Sequence, residues 1–286
     1  MKIQRGLLPA TGPCALTIGS FDGVHRGHQA MLALLVGEAR HRGLPATVLT
    51  FEPHPRDFFF ARRGGPAAPA RVGTLRDKLA ELARCGVERT VVLRFDDALA
   101  ALPPEAFIER VLRRGLDARY VLVGDDFRFG ARRAGDYALL DAAGAAQGFD
   151  VARMQSYEVH GLRVSSSAVR EALAAGEMGR AAELLGRPYA VSGRVLHGRK
   201  LGRDLGFRTL NQRFGHPRPA AMGIFVSRVA GLGPTPLPAE AGYGRRITVE
   251  LLHKLHDERP YPSLETLRAG IAQDVADARA WWVQNR

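Results

Sequence analysis

The sequence predicts an α/β protein: a parallel sheet covered by helices, then a smaller β-rich domain closed by a helix. Three observations carry that prediction. Residues 15–155 alternate short apolar runs with amphipathic segments, the repeating strand and helix unit of a parallel sheet. At Arg187-Pro188 the character changes to β-type runs separated by glycine-rich turns. With 286 residues, the chain is long enough for two domains with a core each, without disulfides or a structural metal.

Taken in order, residues 15–19 (ALTIG) form a strand run that leads to a helical stretch from Gly27. Residues 46–51 (ATVLTF) precede the helical 74–86, residues 90–95 (TVVLRF) precede 104–115, and residues 119–124 (RYVLVG) precede 135–148. Two short helical segments follow, 166–176 and 178–186, each closed by a glycine suited to a C-terminal cap. Beyond residue 186 come the runs 189–196 and 223–229, a Pro-rich loop at 234–244, the strand 247–252 and a helix from about Ser263 to Trp282. The expected domains are therefore 1–186 and 187–286.

Composition narrows the class. Hydrophobic residues make up 46% and charged residues 24%, a globular balance, and no apolar run approaches the roughly 18 residues that cross a bilayer. The first residues lack the apolar stretch and cleavage site of a secretory signal. Cys14 and Cys85 alone make neither a disulfide framework nor a zinc cluster, so a reducing cytoplasm is the expected location. Lys and Arg number 41 against 29 Asp and Glu, a net charge of +12 that points to polyanionic partners. Only four of the 41 are lysines, which fits the codon usage of a GC-rich genome. The excess concentrates late: residues 187–286 hold 16 basic and 8 acidic side chains, residues 1–186 hold 25 and 21.

The strand at 15–19 runs straight into Ser20-Phe21-Asp22-Gly23-Val24-His25-Arg26-Gly27-His28, read as a tight turn and the first turn of a helix. A helix start offers unpaired N–H groups and partial positive charge, and two imidazoles three residues apart add donors toward phosphate oxygens. Gly23 permits positive φ, and Gly27 removes a Cβ where a nucleotide would lie on the backbone. A lone histidine here would usually be a surface or capping residue; His-x-Gly-His behind a buried strand is far more specific. The pattern is neither a Walker A loop nor a dinucleotide fingerprint.

This stretch resembles the signature of the His-x-Gly-His nucleotidyltransferases. Together with Thr50-Phe51-Glu52-Pro53-His54-Pro55, Gly124-Asp125-Asp126-Phe127-Arg128-Phe129-Gly130 and Arg163-Val164-Ser165-Ser166-Ser167-Ala168-Val169-Arg170, it is similar to the bacterial bifunctional riboflavin kinase/FAD synthetase family. The resemblance covers nearly the whole chain, with the motifs in the family's order. It implies a Rossmann-like nucleotidyltransferase domain followed by a small, β-barrel-like flavokinase domain.

The implied first reaction transfers an adenylyl group from ATP to FMN, giving FAD and pyrophosphate. His25 and His28 then stabilise the α-phosphate, Arg163, Ser166, Ser167 and Arg170 hold the leaving phosphates, and Mg²⁺ bridges them. Gly19, Phe21, Asp22, Gly23 and Gly27 shape the nucleotide site, and Asp126 positions the nucleotide or metal. Residues 53–55 are read as a rigid loop exposing the His54 imidazole beside the flavin phosphate. Phe127 and Phe129, alternating with Arg128, either line a slot for a flat ring or pack under the strand end, the two readings being equally matched.

The glycines at 193, 198, 202 and 206 sit among basic residues after a strand, a loop able to wrap a polyphosphate. By resemblance this is the flavokinase site that phosphorylates riboflavin with ATP, with Gly198, Lys200, Gly202, Thr209 and Asn211 binding nucleotide and Thr209 and Asn211 ligating Mg²⁺. The family's Pro-Thr-Ala-Asn motif is here Arg208-Thr209-Leu210-Asn211, without the proline that fixes the turn. A family segment bearing the catalytic glutamate is missing: Pro234 to Pro238 is followed after ten residues by Val249-Glu250. Glu240 is the only acidic residue between Asp204 and Glu250, and Glu250 matches a different family position. The kinase half is therefore expected to be impaired and its barrel to be short of strands. Small molecules (ATP, FMN, riboflavin) are the expected partners of a monomer or weak homo-oligomer, with no nucleic acid and no membrane. The competing readings are another His-x-Gly-His enzyme with a different phosphate substrate and a nucleic-acid-binding protein. No basic helix, basic-aromatic stripe or zinc spacing supports the second.

Overall fold

The structure, a computed structural model, describes residues 1–10, 12–65, 69–155, 157–159, 162–198, 206–207, 209–216, 218–233 and 242–285. It divides into two compact units, Met1–Pro69 with Lys78–Ser165, and Ala70–Asp77 with Ser166–Arg286.

The first unit is built on six parallel strands: β1 (Lys2–Arg5), β2 (Cys14–Ile18), β3 (Ala46–Glu52), β4 (Arg89–Arg94), β5 (Ala118–Gly124) and β6 (Asp150–Met154). Their order is β1-β4-β3-β2-β5-β6. Helices cross between them: α1 (Arg26–His41), α2 (Pro55–Arg63), α3 (Leu75–Arg84), the short α4 (Asp97–Ala100), α5 (Pro104–Phe107) and α6 (Tyr137–Gln147). The chain continues past α5 as a π-helical stretch, Ile108–Gly115. Both faces of the sheet are covered, so its central strands are apolar throughout rather than alternating. All five residues of β2 are buried. Leu16 packs with Leu49, Val121, Leu112 and Leu140 on one side, while Ala15 meets Leu35, Ala39 and Leu122 on the other. Each such side chain contributes about 1.5–3 kcal/mol on burial.

Two elements depart from the expected pattern. Edge strand β1 lies beside β4, and α2 occupies the stretch read as a loop after His54. The helix starts because Pro55 supplies a preset φ and the His54 side chain caps it. A small hairpin, β7 (Glu158–Val159) with β8 (Leu162–Arg163), ends the unit.

The second unit contains α7 (Ser166–Ala175), α8 (Met178–Leu185), β9 (Ala190–Leu196), β10 (Asn211–Gln212), β11 (Ile224–Ala230), β12 (Arg246–His256) and α9 (Leu264–Gln284). Gly176 and Gly186 close the two short helices with φ of 77° and 71°. The strands form a curled antiparallel sheet in the order β10-β9-β12-β11. Here β12 pairs directly with β11. Helix α9 begins with a capping box of Ser263 and Thr266, and Trp281 stacks on His253 of β12.

Candidate functional site

Strand β2 is the point where the sheet's winding reverses: β3 lies on one side of it and β5 on the other, and ligands of open α/β sheets bind beyond the carboxyl ends at such a point. The sequence motifs leave the sheet there. Residues 19–28 follow β2, residues 53–55 follow β3, and residues 125–130 follow β5.

After β2 the backbone is strained. Phe21 (φ 48°), Gly23 (φ 82°) and Val24 (φ 43°) occupy the left-handed region, which a β-branched residue rarely enters. Phe21 and Val24 are held there by burial with Leu32, Val48 and Leu82. Gly19 faces the Phe21 ring, where an added Cβ would stand 3.0 Å from it. Asp22 is buried.

His25 caps α1: its Nδ1 accepts from the His28 N–H at 3.3 Å, which leaves the ring proton on Nε2. The His28 ring stacks on His25 with centroids 3.7 Å apart and leans on Phe21 at 4.9 Å. The expected role of Gly27 changes. Its missing Cβ makes room for the His25 ring (3.3 Å) and the Val164 carbonyl (3.4 Å), so the space read as nucleotide contact is taken by the capping imidazole. His28 Nδ1 is sealed from solvent with no hydrogen-bond partner among the described residues. Burial first, then electrostatic opposition from the neighbouring His25 and Lys78, hold His28 well below the usual histidine range. The ring is neutral near pH 7, and an orphaned polar nitrogen beside a helix N-terminus suits an arriving anion.

His54 repeats the device of His25. Its Nδ1 accepts from the Arg56 N–H at 3.0 Å, and the ring is buried rather than exposed as the Pro-His-Pro reading had it, because capping folds it onto the start of α2. Phe58, Phe59 and Phe95 pack edge to face nearby, with Arg62 over Phe58 and Arg63 over Phe59. Sequence reasoning missed this patch because Phe95 joins it from β4's end.

Beyond β5, Asp126 and Asp125 meet Arg163 at 3.0 Å and 3.5 Å. Such an exposed pair is worth about 0–1 kcal/mol and exchanges readily for a phosphate. Arg128 pairs with Asp136 (3.0 Å), whose carboxyl is held below its usual range first by the Leu139 N–H it caps and also by Arg128. Phe129 is a core residue stacked with Phe127 and tilted against Phe107, as in the packing alternative. Ser166 and Ser167 open α7 in the second unit, where Arg170 donates to Ser167 Oγ at 3.2 Å.

In the second unit, Asn211 pairs with Leu196, and its amide fills the space where Gly198 has no side chain. Thr209 is exposed; Lys200, Gly202, Arg208 and Glu240 lie outside the described residues. Glu250 stands opposite Ala190, six residues from Leu196 along β9, about 20 Å at roughly 3.3 Å per residue. Its carboxylate faces Arg228 at 3.5 Å.

Comparison with known proteins fits this layout. The FAD synthetase family model matches residues 8–168, and the riboflavin kinase model matches 185–241 and 237–282. The bifunctional riboflavin kinase/FMN adenylyltransferase of Escherichia coli (strain K12) is 42% identical over 312 residues, covering 99% of this chain and 98% of that protein. The chain belongs to the bifunctional riboflavin kinase/FMN adenylyltransferase family. The Pseudomonas fluorescens member is 42% identical (98% of this chain, 97% of that one), and the Haemophilus influenzae member is 37% identical (99% of each). A solved structure described as a macrolide-efflux protein from Streptococcus pneumoniae superposes with a TM-score of 0.77 over 98% of this chain and 100% of that one, at 22% identity, a likeness of fold. No helix among the described residues is long and apolar enough to cross a membrane. The kinase model meets the chain in two pieces sharing residues 237–241, and an alignment of 312 positions leaves at least 26 without a residue in a chain of 286.

Proposed function

We propose that residues 1–186 transfer an adenylyl group from ATP to the phosphate of FMN, giving FAD and pyrophosphate, and that residues 187–286 are a riboflavin kinase half weakened by its missing segment. The observation that carries the first part is the stacked His25 and His28 pair at the N-terminus of α1, beyond the switch-point strand β2.

The reaction needs no covalent enzyme intermediate. An FMN phosphate oxygen forms a bond to the α-phosphorus while the bond to the bridging oxygen of pyrophosphate breaks. The enzyme's work is alignment and charge stabilisation. The helix terminus and His25 Nε2–H face the α-phosphate, and the neutral His28 supplies a second donor. Arg163 leaves Asp126 for the leaving phosphates. Phe58, Phe59 and Phe95 offer an edge-to-face aromatic surface, with cationic neighbours, to a ring system.

No group of three or more His, Cys, Asp or Glu able to hold a metal occurs among the described residues. Mg²⁺ would be carried on ATP; Thr209 and Asn211 would hold it in the kinase half, where it would neutralise phosphate charge.

Incubation with Mg-ATP and FMN, with flavins separated by chromatography, tests the first part. FAD and pyrophosphate are expected in equal amounts. Absence of FAD overturns the assignment, and adenylylation of another phosphate compound instead places the chain with a different substrate.

A further inference from the structure

Among the described residues of the first unit, the buried charged or imidazole side chains are Asp22, His25, His54 and Lys78. Three of them lie on the strand-end loops of the site. Lys78 comes from α3 and is 4% exposed. An ammonium this buried is costly unless well held, so its retention calls for a reason. Its Nζ donates to Thr50 Oγ1 at 3.2 Å near the end of β3, and that hydroxyl donates to the Ser20 carbonyl at 3.4 Å. Ser20 opens the turn that holds Phe21 and Val24 at positive φ. One helical turn beyond Lys78, Leu82 packs in the same apolar cluster as Phe21, Val24 and Leu32. Helix α3 therefore reaches the turn twice, once by packing and once by a chain of hydrogen bonds.

We propose that Lys78 is a positioning residue for adenylyl transfer: through Thr50 it fixes the Ser20 carbonyl and the turn carrying His25 and His28, and its ammonium acts electrostatically on the phosphate-binding imidazoles. This rests on the reading of the first half as an adenylyl-transfer site. A charge fixed by the fold stabilises developing negative charge with no reorganisation during the reaction. The titratable groups acting on His28 are His25, at the start of α1, and Lys78, on α3; both favour its neutral form. Thr50 separates the two roles, since its removal breaks the relay and leaves the ammonium.

The test compares Lys78→Met and Thr50→Val in the full chain. FAD formation is followed from about pH 5 to 9, and the His28 ring is titrated by NMR without substrates. Lys78→Met is expected to lower kcat about 10²-fold with a smaller change in KM for FMN, and to move the His28 midpoint upward. Thr50→Val is expected to lower kcat about 10-fold and leave that midpoint in place. Wild-type kcat in folded Lys78→Met overturns the proposal. Equal losses in both variants with His28 titrating normally also overturn it, because a mere structural strut gives that result. If Lys78→Met does not fold, Lys78→Arg and Thr50→Val decide: a reduced kcat in Thr50→Val with the normal His28 midpoint in both supports the proposal, and wild-type kcat in Thr50→Val or a displaced midpoint in Lys78→Arg overturns it. A wild-type chain that makes no FAD removes the functional reading instead, while the NMR titration still tests the link between Lys78 and His28.

Discussion

Strand β2 is buried along its whole length, whereas of the eleven residues of β12 only Ile247 is buried. The parallel sheet has helices on both faces. The curled sheet has α9 packed on part of it, and Leu196, Leu210, Met222 and Val229 stay exposed in the second unit. The contrast follows from what each half has kept. Strand β2 is flanked by β3 and β5 and covered on both faces, while β11 pairs with β12 in a half that the riboflavin kinase model meets in two pieces. A complete core can hold strained and desolvated groups such as Val24 and Lys78. The second sheet has less packing with which to hold such groups.

The sharpest way to break this contrast is to restore what is missing. Grafting the E. coli relative's segment between β11 and β12 is expected to raise riboflavin phosphorylation about 10²- to 10⁴-fold, measured as FMN formed from riboflavin and Mg-ATP. An unmodified chain already as fast as the graft would show that the base lies elsewhere. In the first half, His28→Ala is expected to lower kcat for FAD about 10²- to 10³-fold while riboflavin phosphorylation stays unchanged. A smaller loss confined to KM would make the ring a ground-state contact. Gly198→Ala drives the Asn211 amide from its place, with an expected loss of about 10-fold in nucleotide affinity of the kinase half and none in FAD formation; isothermal titration with Mg-ATP at each half's saturating flavin reads it.

The smallest effect concerns α9. His256 donates from Nδ1 to the Asp257 carbonyl and from Nε2 to Asp274, both at 2.7 Å, and these bonds raise its pKa, the backbone one most. A raised histidine pKa contributes stability that is fully present below its ordinary value, near 6.5, and is lost as pH rises through the raised one. The melting temperatures of wild type and Asp274→Asn should therefore differ most below the ordinary histidine value and converge as pH rises through the raised one. A gap independent of pH would assign the bond to a neutral ring.

The strands of the first unit were legible because burial on both faces writes them as continuous apolar runs. The caps at Gly176 and Gly186 were legible because few residue types serve those backbone positions, whereas the caps at Asp136 and Gly148 were not singled out. Strand β1 was not, since four residues at a sheet edge carry little pattern. His54 was misjudged as exposed because capping and exposure look alike in a Pro-His-Pro string. Lys78 went unnoticed for a similar reason: a lysine on an amphipathic helix normally belongs to the solvent face, and its burial depends on what β3 and the turn after β2 place above it. Only its rarity in a chain that uses arginine almost everywhere could have drawn notice.

The turn at Phe21 and Val24 bears on how such sites can be moved between proteins. Nothing in those two residues favours a left-handed backbone; Leu32, Val48 and Leu82 impose it from outside. A peptide of residues 20–29 would relax, and its imidazoles would part. Transplanting the motif as letters onto another scaffold would carry the donors without their alignment, so the smallest portable unit is β2, β3, α1 and α3 together.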